Sequence, residues 1–196
     1  IVLVVAQGVM GWYMVKSGLV ERPDVSQYRL SAHLGAALVI YGYTLWVVLG
    51  VLFPKPETPP GRRILWRSSL AVVALVFVTV LSGAFVAGTD AGFAYNTFPL
   101  MADQWVPDGL FDIDPLYLNF FENITTIQFD HRLLAEALFV VIAAFWLMAR
   151  GAALTARARH AVNGLAAMAV VQIALGITTL LLVVPVALAA AHQAGA

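Results

Sequence analysis

Runs of about 20 apolar residues, separated only by short charged or proline-rich stretches, constrain this chain more than anything else in it, because a helix of that length crosses the hydrocarbon core of a bilayer. Six runs are legible, at 1–16, 30–53, 64–88, 127–149, 161–184 and from 186 onward. Pro185 divides the last two: the uncharged stretch there is too long for one crossing, and proline disfavours an uninterrupted helix. Hydrophobic residues make up 61% of the chain and charged ones 11%, and the mean hydropathy is +0.86, so the solvent for most of the surface must be lipid. The expected fold class is therefore all-α, a polytopic transmembrane helical bundle.

The polar minority excludes several kinds of function. Eleven basic residues balance eleven acidic ones, with no basic arm, so no nucleic acid is expected as a partner. The absence of cysteine removes disulfides, thiolate nucleophiles, iron–sulfur clusters and zinc–thiolate sites. Any metal must rest on His, Met, Tyr or carboxylates. The first and last apolar runs are cut by the ends of the chain, which is the expectation for a fragment of a longer protein and not for a chain with a signal peptide.

Basic residues set the orientation. The loop after the second run carries Lys55, Arg62, Arg63 and Arg67, and the loop after the fourth carries Arg150, Arg157 and Arg159, against the single acid Glu57. Those loops are expected on the cytoplasmic side. The opposite side holds Lys16, Arg22, Arg29 and Arg132 among nine acids, including Glu21, Asp24, Asp130 and Glu122. With this topology His33, His131 and His192 all enter their helices from the outer side. His160 lies in the arginine-rich inner loop, where it serves only orientation.

Ionisable residues inside a bilayer are costly and usually functional, and imidazole is a standard axial ligand of haem iron. Hydrogen bonding across a helix interface would explain one such histidine. Three at matching depth favour paired ligands on facing helices. The chain also repeats itself. Gln7 and Gly11 in the first run match Gln172 and Gly176 in the fifth, and Ala32–His33 in the second matches Ala191–His192 in the sixth. If the first two runs repeat the last two, the third and fourth should have counterparts before Ile1. The whole would then have eight helices in two pseudo-repeated four-helix halves, six of them here, with one haem site per half. The expected division is 1–53 for the second helix pair of the first half, 54–67 for a cytoplasmic loop and 68–196 for the second half.

Three stretches carry a resemblance to a known family: QFDHR (Gln128 to Arg132), AGTDAGFAYNTFPLM (Ala87 to Met101), and GWYMVKSGL (Gly11 to Leu19) with RPDVSQYRLSAH (Arg22 to His33). Together they resemble haem A synthase of the cysteine-free type found in alphaproteobacteria and mitochondria. The resemblance implies conversion of haem O to haem A for cytochrome oxidase by oxidation of one ring methyl to a formyl group. It implies that His131 and His192 are the axial ligands of a haem b cofactor and that His33 belongs to a substrate haem site. The catalytic residue is expected to be a glutamate in an ExxHR motif outside this chain; the neutral Gln128, which shares a helix face with His131, could not move protons in its place. Two imidazoles on one iron leave no open position, so the second-half haem would relay electrons.

Arg132 is a candidate to pair with a haem propionate, or else to snorkel to the headgroups. Asp130 and Glu136 stay ambiguous. The long outer stretch 88–126 reads as a cap over the haem pocket, an interfacial aromatic belt, or both. Haem O synthase, cytochrome oxidase assembly factors, membrane lipid and a second copy of the chain are the expected partners, and the bacterial inner membrane the expected location. A non-catalytic dihaem b-type cytochrome is the chief alternative, and a transporter with histidines in its path a third.

Overall fold

The computed structural model describes residues 1–18, 25–54 and 63–196. The charges expected at Glu21, Arg22, Asp24, Lys55, Glu57 and Arg62 lie outside the described residues, as does most of the loop 54–67. Within them the chain is all helical: α1 (Val2–Gly18), α2 (Gln27–Leu52), α3 (Arg63–Gly88), α4 (Asn119–Glu122), α5 (Ile124–Arg150), α6 (Ala156–Leu181) and α7 (Val186–Gly195). Seven helices stand where six were expected. The addition, α4, is a single turn of four residues that its short length hid among the loop aromatics.

Helices α2, α3, α5 and α6 are long and apolar enough to cross a membrane, and α1 is a shorter apolar helix. The protein is an integral membrane protein. Most large apolar side chains accordingly face outward, Trp46 being 70% exposed and Val51 75%, since lipid accepts them without cost. The buried core is small, with Val72, Ile142 and Phe145 packed among Leu65, Leu138 and Leu165 of α3, α5 and α6.

Several helices begin earlier than hydropathy alone indicates, because caps and not apolarity end a helix. The fourth span starts at Ile124, three residues before the expected 127, where the Asn123 side chain accepts from the N–H groups of Thr125 (3.0 Å) and Thr126 (3.3 Å). The fifth starts at Ala156 and not 161, behind Thr155, whose hydroxyl accepts from Ala158 N–H at 3.4 Å. His160 therefore sits on α6 and not in a loop, and it is exposed. Asn123 belongs to an Asn-Ile-Thr sequon. Its amide donates to Gly109 O (2.7 Å) and Asn119 Oδ1 (3.0 Å), so the buried side chain is committed to folding the loop.

Neighbouring elements pack in chain order: α1 on α2, α2 on α3, α3 on α5, α5 on α6 and α6 on α7. The α2–α3 contact is close at the end of the bundle that bears His33 and His131, termed outer, where a Cβ added to Gly88 would lie 2.6 Å from Gln27 Cα. There Gln27 donates to Glu122 Oε2 (3.2 Å) and Tyr28 donates to Glu122 Oε1 (2.5 Å), with Phe85 and Phe121 rings against Tyr28. At the inner end Arg157 of α6 lies over the Phe53 ring, 3.5 Å from its centroid. The basic residues Arg63, Arg67, Arg150, Arg157 and Arg159 all fall at that same end of the bundle.

The outer stretch is far from structureless. Asn119, fully buried, donates to Ile113 O and Leu116 O and accepts from Ile113 N–H, and Thr126 donates to Leu110 O. Phe93, Trp105, Tyr117, Phe120 and Phe121 are exposed, as an interfacial belt requires. Tyr95 departs from the belt and turns inward, its hydroxyl 3.1 Å from Thr125 Oγ1.

Candidate functional site

Three helices end their outward run with a glycine facing a histidine on a neighbour. A Cβ built on Gly11 of α1 would lie 3.1 Å from Cε1 of His33 on α2; on Gly83 of α3, 3.1 Å from Cε1 of His131 on α5; on Gly176 of α6, 3.1 Å from Cε1 of His192 on α7. Each ring edge occupies the space a side chain would take. The glycines lie within two turns of the outer ends of their helices and the histidines near the starts of theirs, so all three sites sit at one end of the bundle.

The internal repeat takes physical form here. Gln7 donates through Nε2 to His33 O at 2.8 Å, and Gln172 donates through Nε2 to His192 O at 3.1 Å. Gln and Gly four residues apart lie on one helix face, so each pair presents an amide to the histidine backbone and a bare Cα to its ring. His131 is seated differently. Ser82 donates its hydroxyl proton to Thr79 O at 2.7 Å and therefore accepts from His131 Nδ1–H at 2.8 Å. This fixes the tautomer and leaves the Nε2 lone pair free for a metal.

His131 on α5 and His192 on α7 flank α6: the two helices make no extended contact with each other, and each packs on α6. His33 is held separately, against α1. The buried side-chain atoms without a hydrogen-bond partner collect at these places: Nδ1 of His33 and His192, Oε1 of Gln7, Gln128 and Gln172, Nε of Arg132 and, on α6, Thr179 Oγ1. Buried polar atoms are ordinarily satisfied, so this concentration points to a polar ligand. Among the described residues no three His, Asp or Glu side chains are grouped to hold a bare ion. A pair of imidazoles could instead hold a tetrapyrrole iron, whose ring supplies the remaining four ligands.

Other expected residues are placed as follows. Gln128 is 2% exposed and donates to Tyr95 O at 3.0 Å. Arg132 donates through Nη1 to Thr97 O and through Nη2 to Tyr95 O, both at 2.8 Å. These two side chains thus secure the outer loop, with Gln128 Oε1 and Arg132 Nε left over. Asp130 lines, with Ser82, Phe85, Phe120 and Phe121, a half-open apolar groove of about 320 Å³. Glu136 is exposed, one turn beyond Arg132. His160 is far from the histidine end.

Sequence reasoning missed Ser82 and Gly83. A serine and a glycine in an apolar run carry no signal of their own; only their place one turn from the outer helix end, as with Gly176, could have drawn attention. Because the Ser82 hydroxyl orients His131 and satisfies its Nδ1–H, Ser82→Ala should, on the expectation that His131 is a haem ligand, weaken haemin binding by roughly 10- to 100-fold. Titration of the apoprotein with haemin checks this, and wild-type affinity would show that Ser82 does not support the ligand.

The whole chain, residues 1–196, matches the model of the COX15-CtaA family, described as cytochrome oxidase assembly protein. It is 57% identical over 192 residues to heme A synthase of Nitrosospira multiformis, covering 97% of this chain and 54% of the relative. It is 49% identical over 201 residues to heme A synthase COX15 of Mus musculus, covering 98% and 49%, and 48% identical over 201 residues to its Homo sapiens counterpart, covering 98% and 49%. The chain thus spans about half the length of the curated relatives it matches. No solved structure matches it.

Proposed function

The chain belongs to the COX15-CtaA family of cytochrome oxidase assembly proteins, and from that premise we propose that the full-length protein is a haem A synthase, oxidising a ring methyl of haem O to a formyl group by successive hydroxylations. The observation that carries this reading is the repeated seat: Gln7, Gly11 and His33 in one copy, Gln172, Gly176 and His192 in the other, at the same end of the bundle. One seat per half suits a protein that handles two haems.

His131 and His192 are the residues proposed to hold a resident haem b, which would supply reversible one-electron transfer there. The residues fit that group. Ser82 engages Nδ1 of His131 and leaves Nε2 for a metal, the glycines let both rings lie against their supporting helices, and the buried Nε of Arg132 keeps a donor for a propionate. Gln128, amide fixed to Tyr95 O, holds no transferable proton, which suits relay and not proton abstraction. His33 belongs in this reading to the substrate haem O, and its partner ligand and the catalytic carboxylate lie in parts of the longer protein that this chain does not span.

The proposed division is 1–53 for the substrate half, 54–67 for the connecting loop and 68–196 for the cofactor half. The histidine end faces the periplasm and the arginine end the cytoplasm of a bacterial inner membrane. Haem O synthase and oxidase assembly factors are the proposed partners, the first as the source of a poorly soluble substrate.

Deleting the gene in its host tests the reaction. Haem O should accumulate and haem A disappear from extracted membranes, with reversal by the full-length gene. Unchanged haem A would leave the dihaem relay cytochrome as the better reading.

A further inference from the structure

Helices α5 and α7 carry His131 and His192 but each packs on α6 and makes no extended contact with the other, so the gap between the two rings depends on the outer end, where α6 stops and the chain reverses. The reversal is unusual. Val184 N–H donates to Thr179 O at 2.8 Å and Val183 N–H to Leu180 O at 3.1 Å, the bond pattern of a helix end whose closing residue is normally glycine. Here Val183 and Val184 have φ of 60° and 55°. Two adjacent β-branched residues in the left-handed region persist only where the surroundings hold them there.

The surroundings are the loop after α3. Asn96 donates through Nδ2 to Leu180 O at 3.0 Å and to Gly92 O at 2.9 Å, tying the loop to the last turn of α6. Gly92 makes room for the second valine: a Cβ there would lie 3.2 Å from Val184 Cγ2. The same short segment is fastened to α5, since the Tyr95 carbonyl accepts from Gln128 and Arg132 and the Thr97 carbonyl from Arg132. One end of the segment therefore grips the helix bearing His131, and the other grips the turn that launches the helix bearing His192.

We propose that residues 92–97 form a strap that sets the separation and relative tilt of His131 and His192, with Asn96 as its positioning residue. This rests on the reading that the two histidines share a haem. Asn96 touches no cofactor; it acts through the α6–α7 turn. Arg132 and Gln128 then serve the site by anchoring the strap as well as by their nearness to His131.

The test uses the full-length protein purified with its haem, read by low-temperature electron paramagnetic resonance of the ferric low-spin signal and by the rate of haem transfer to an excess of apomyoglobin. Asn96→Ala should shift the highest g value of the His131–His192 haem and raise its transfer rate about tenfold, in the range seen when outer supports of a metal ligand are lost. Val183→Gly accepts the left-handed turn without strain and should leave both readings at wild type. Should Asn96→Ala fail to fold, Gly92→Ala carries the test, because its methyl presses on Val184 and should move the same signal. A wild-type signal and transfer rate in Asn96→Ala or Gly92→Ala overturns the strap, even if thermal stability falls. Wild-type protein with no bis-imidazole signal overturns the shared-haem reading and the strap with it, which separates the two failures.

Discussion

Full-length protein carrying His131→Ala or His192→Ala is expected to be purified without the b-type haem proposed for the wild type. Removing an outer support of a ligand typically weakens metal binding 10- to 100-fold, and removing the ligand itself should exceed that, roughly 100-fold or more. The two variants should fail alike, because a haem between α5 and α7 has no other imidazole in reach among the described residues: His33 is held against α1 and His160 is exposed on α6 toward the arginine end. His160→Ala is the matched control and should keep full haem content. His33→Ala should keep the b-type haem and lose bound haem O. Haem per mole of protein, measured after extraction and chromatographic typing, decides the matter. Retention of b-type haem in both His131→Ala and His192→Ala would overturn the assignment of these ligands.

Gly176→Val is expected to have an effect nearly as large without touching a ligand. Its Cβ would stand 3.1 Å from Cε1 of His192, closer than ordinary van der Waals contact, and the two methyl groups on that carbon reach farther into the ring. The imidazole must swing away or α7 must move off α6. Overpacking of this kind costs about 1–3 kcal/mol, and a ring displaced on the order of 1 Å no longer points at the iron along a usable axis, as misplacement of that size commonly disables a site. A fall in haem occupancy of about tenfold or more is expected. Gly164→Val, on the same helix where nothing lies within 4 Å of an added Cβ, should keep its haem, which controls for valine in α6. Equal occupancy in the two variants would show that the glycine at 176 is not a seat for the ring.

Much of this arrangement is legible before folding. Hydropathy placed the spanning helices, and the polar exceptions within them, His33, His131 and His192, drew attention to one end of the bundle. The spacing of Gln7 to Gly11 and of Gln172 to Gly176 announced a repeat, although its purpose as an amide and a cavity for a histidine was not evident from the letters. Helix starts were misplaced by three to five residues at Ile124 and Ala156, because Asn123 and Thr155 cap through one or two hydrogen bonds that hydropathy does not register. Ser82 and Gly83 were invisible for a related reason: small residues are common in membrane helices, and others in apolar runs of this chain, such as Gly8 and Gly164, face open space.

The division between the two kinds of information follows from the range of the forces. Transfer of a helix into lipid is a sum over its own residues, so the sequence by itself determined the class of the protein and its spans, and it singled out three histidines as candidates. Which groups answer those histidines depends on atoms 20, 26 and 49 residues away meeting within hydrogen-bond distance. Only the tertiary structure decided that Ser82 sets the His131 tautomer, that Arg132 and Gln128 fasten a loop, and that Asn96 steadies two valines in a turn glycine would ordinarily make. Directional contacts of a few ångströms, unlike hydropathy, have no meaning until the chain has brought their partners together.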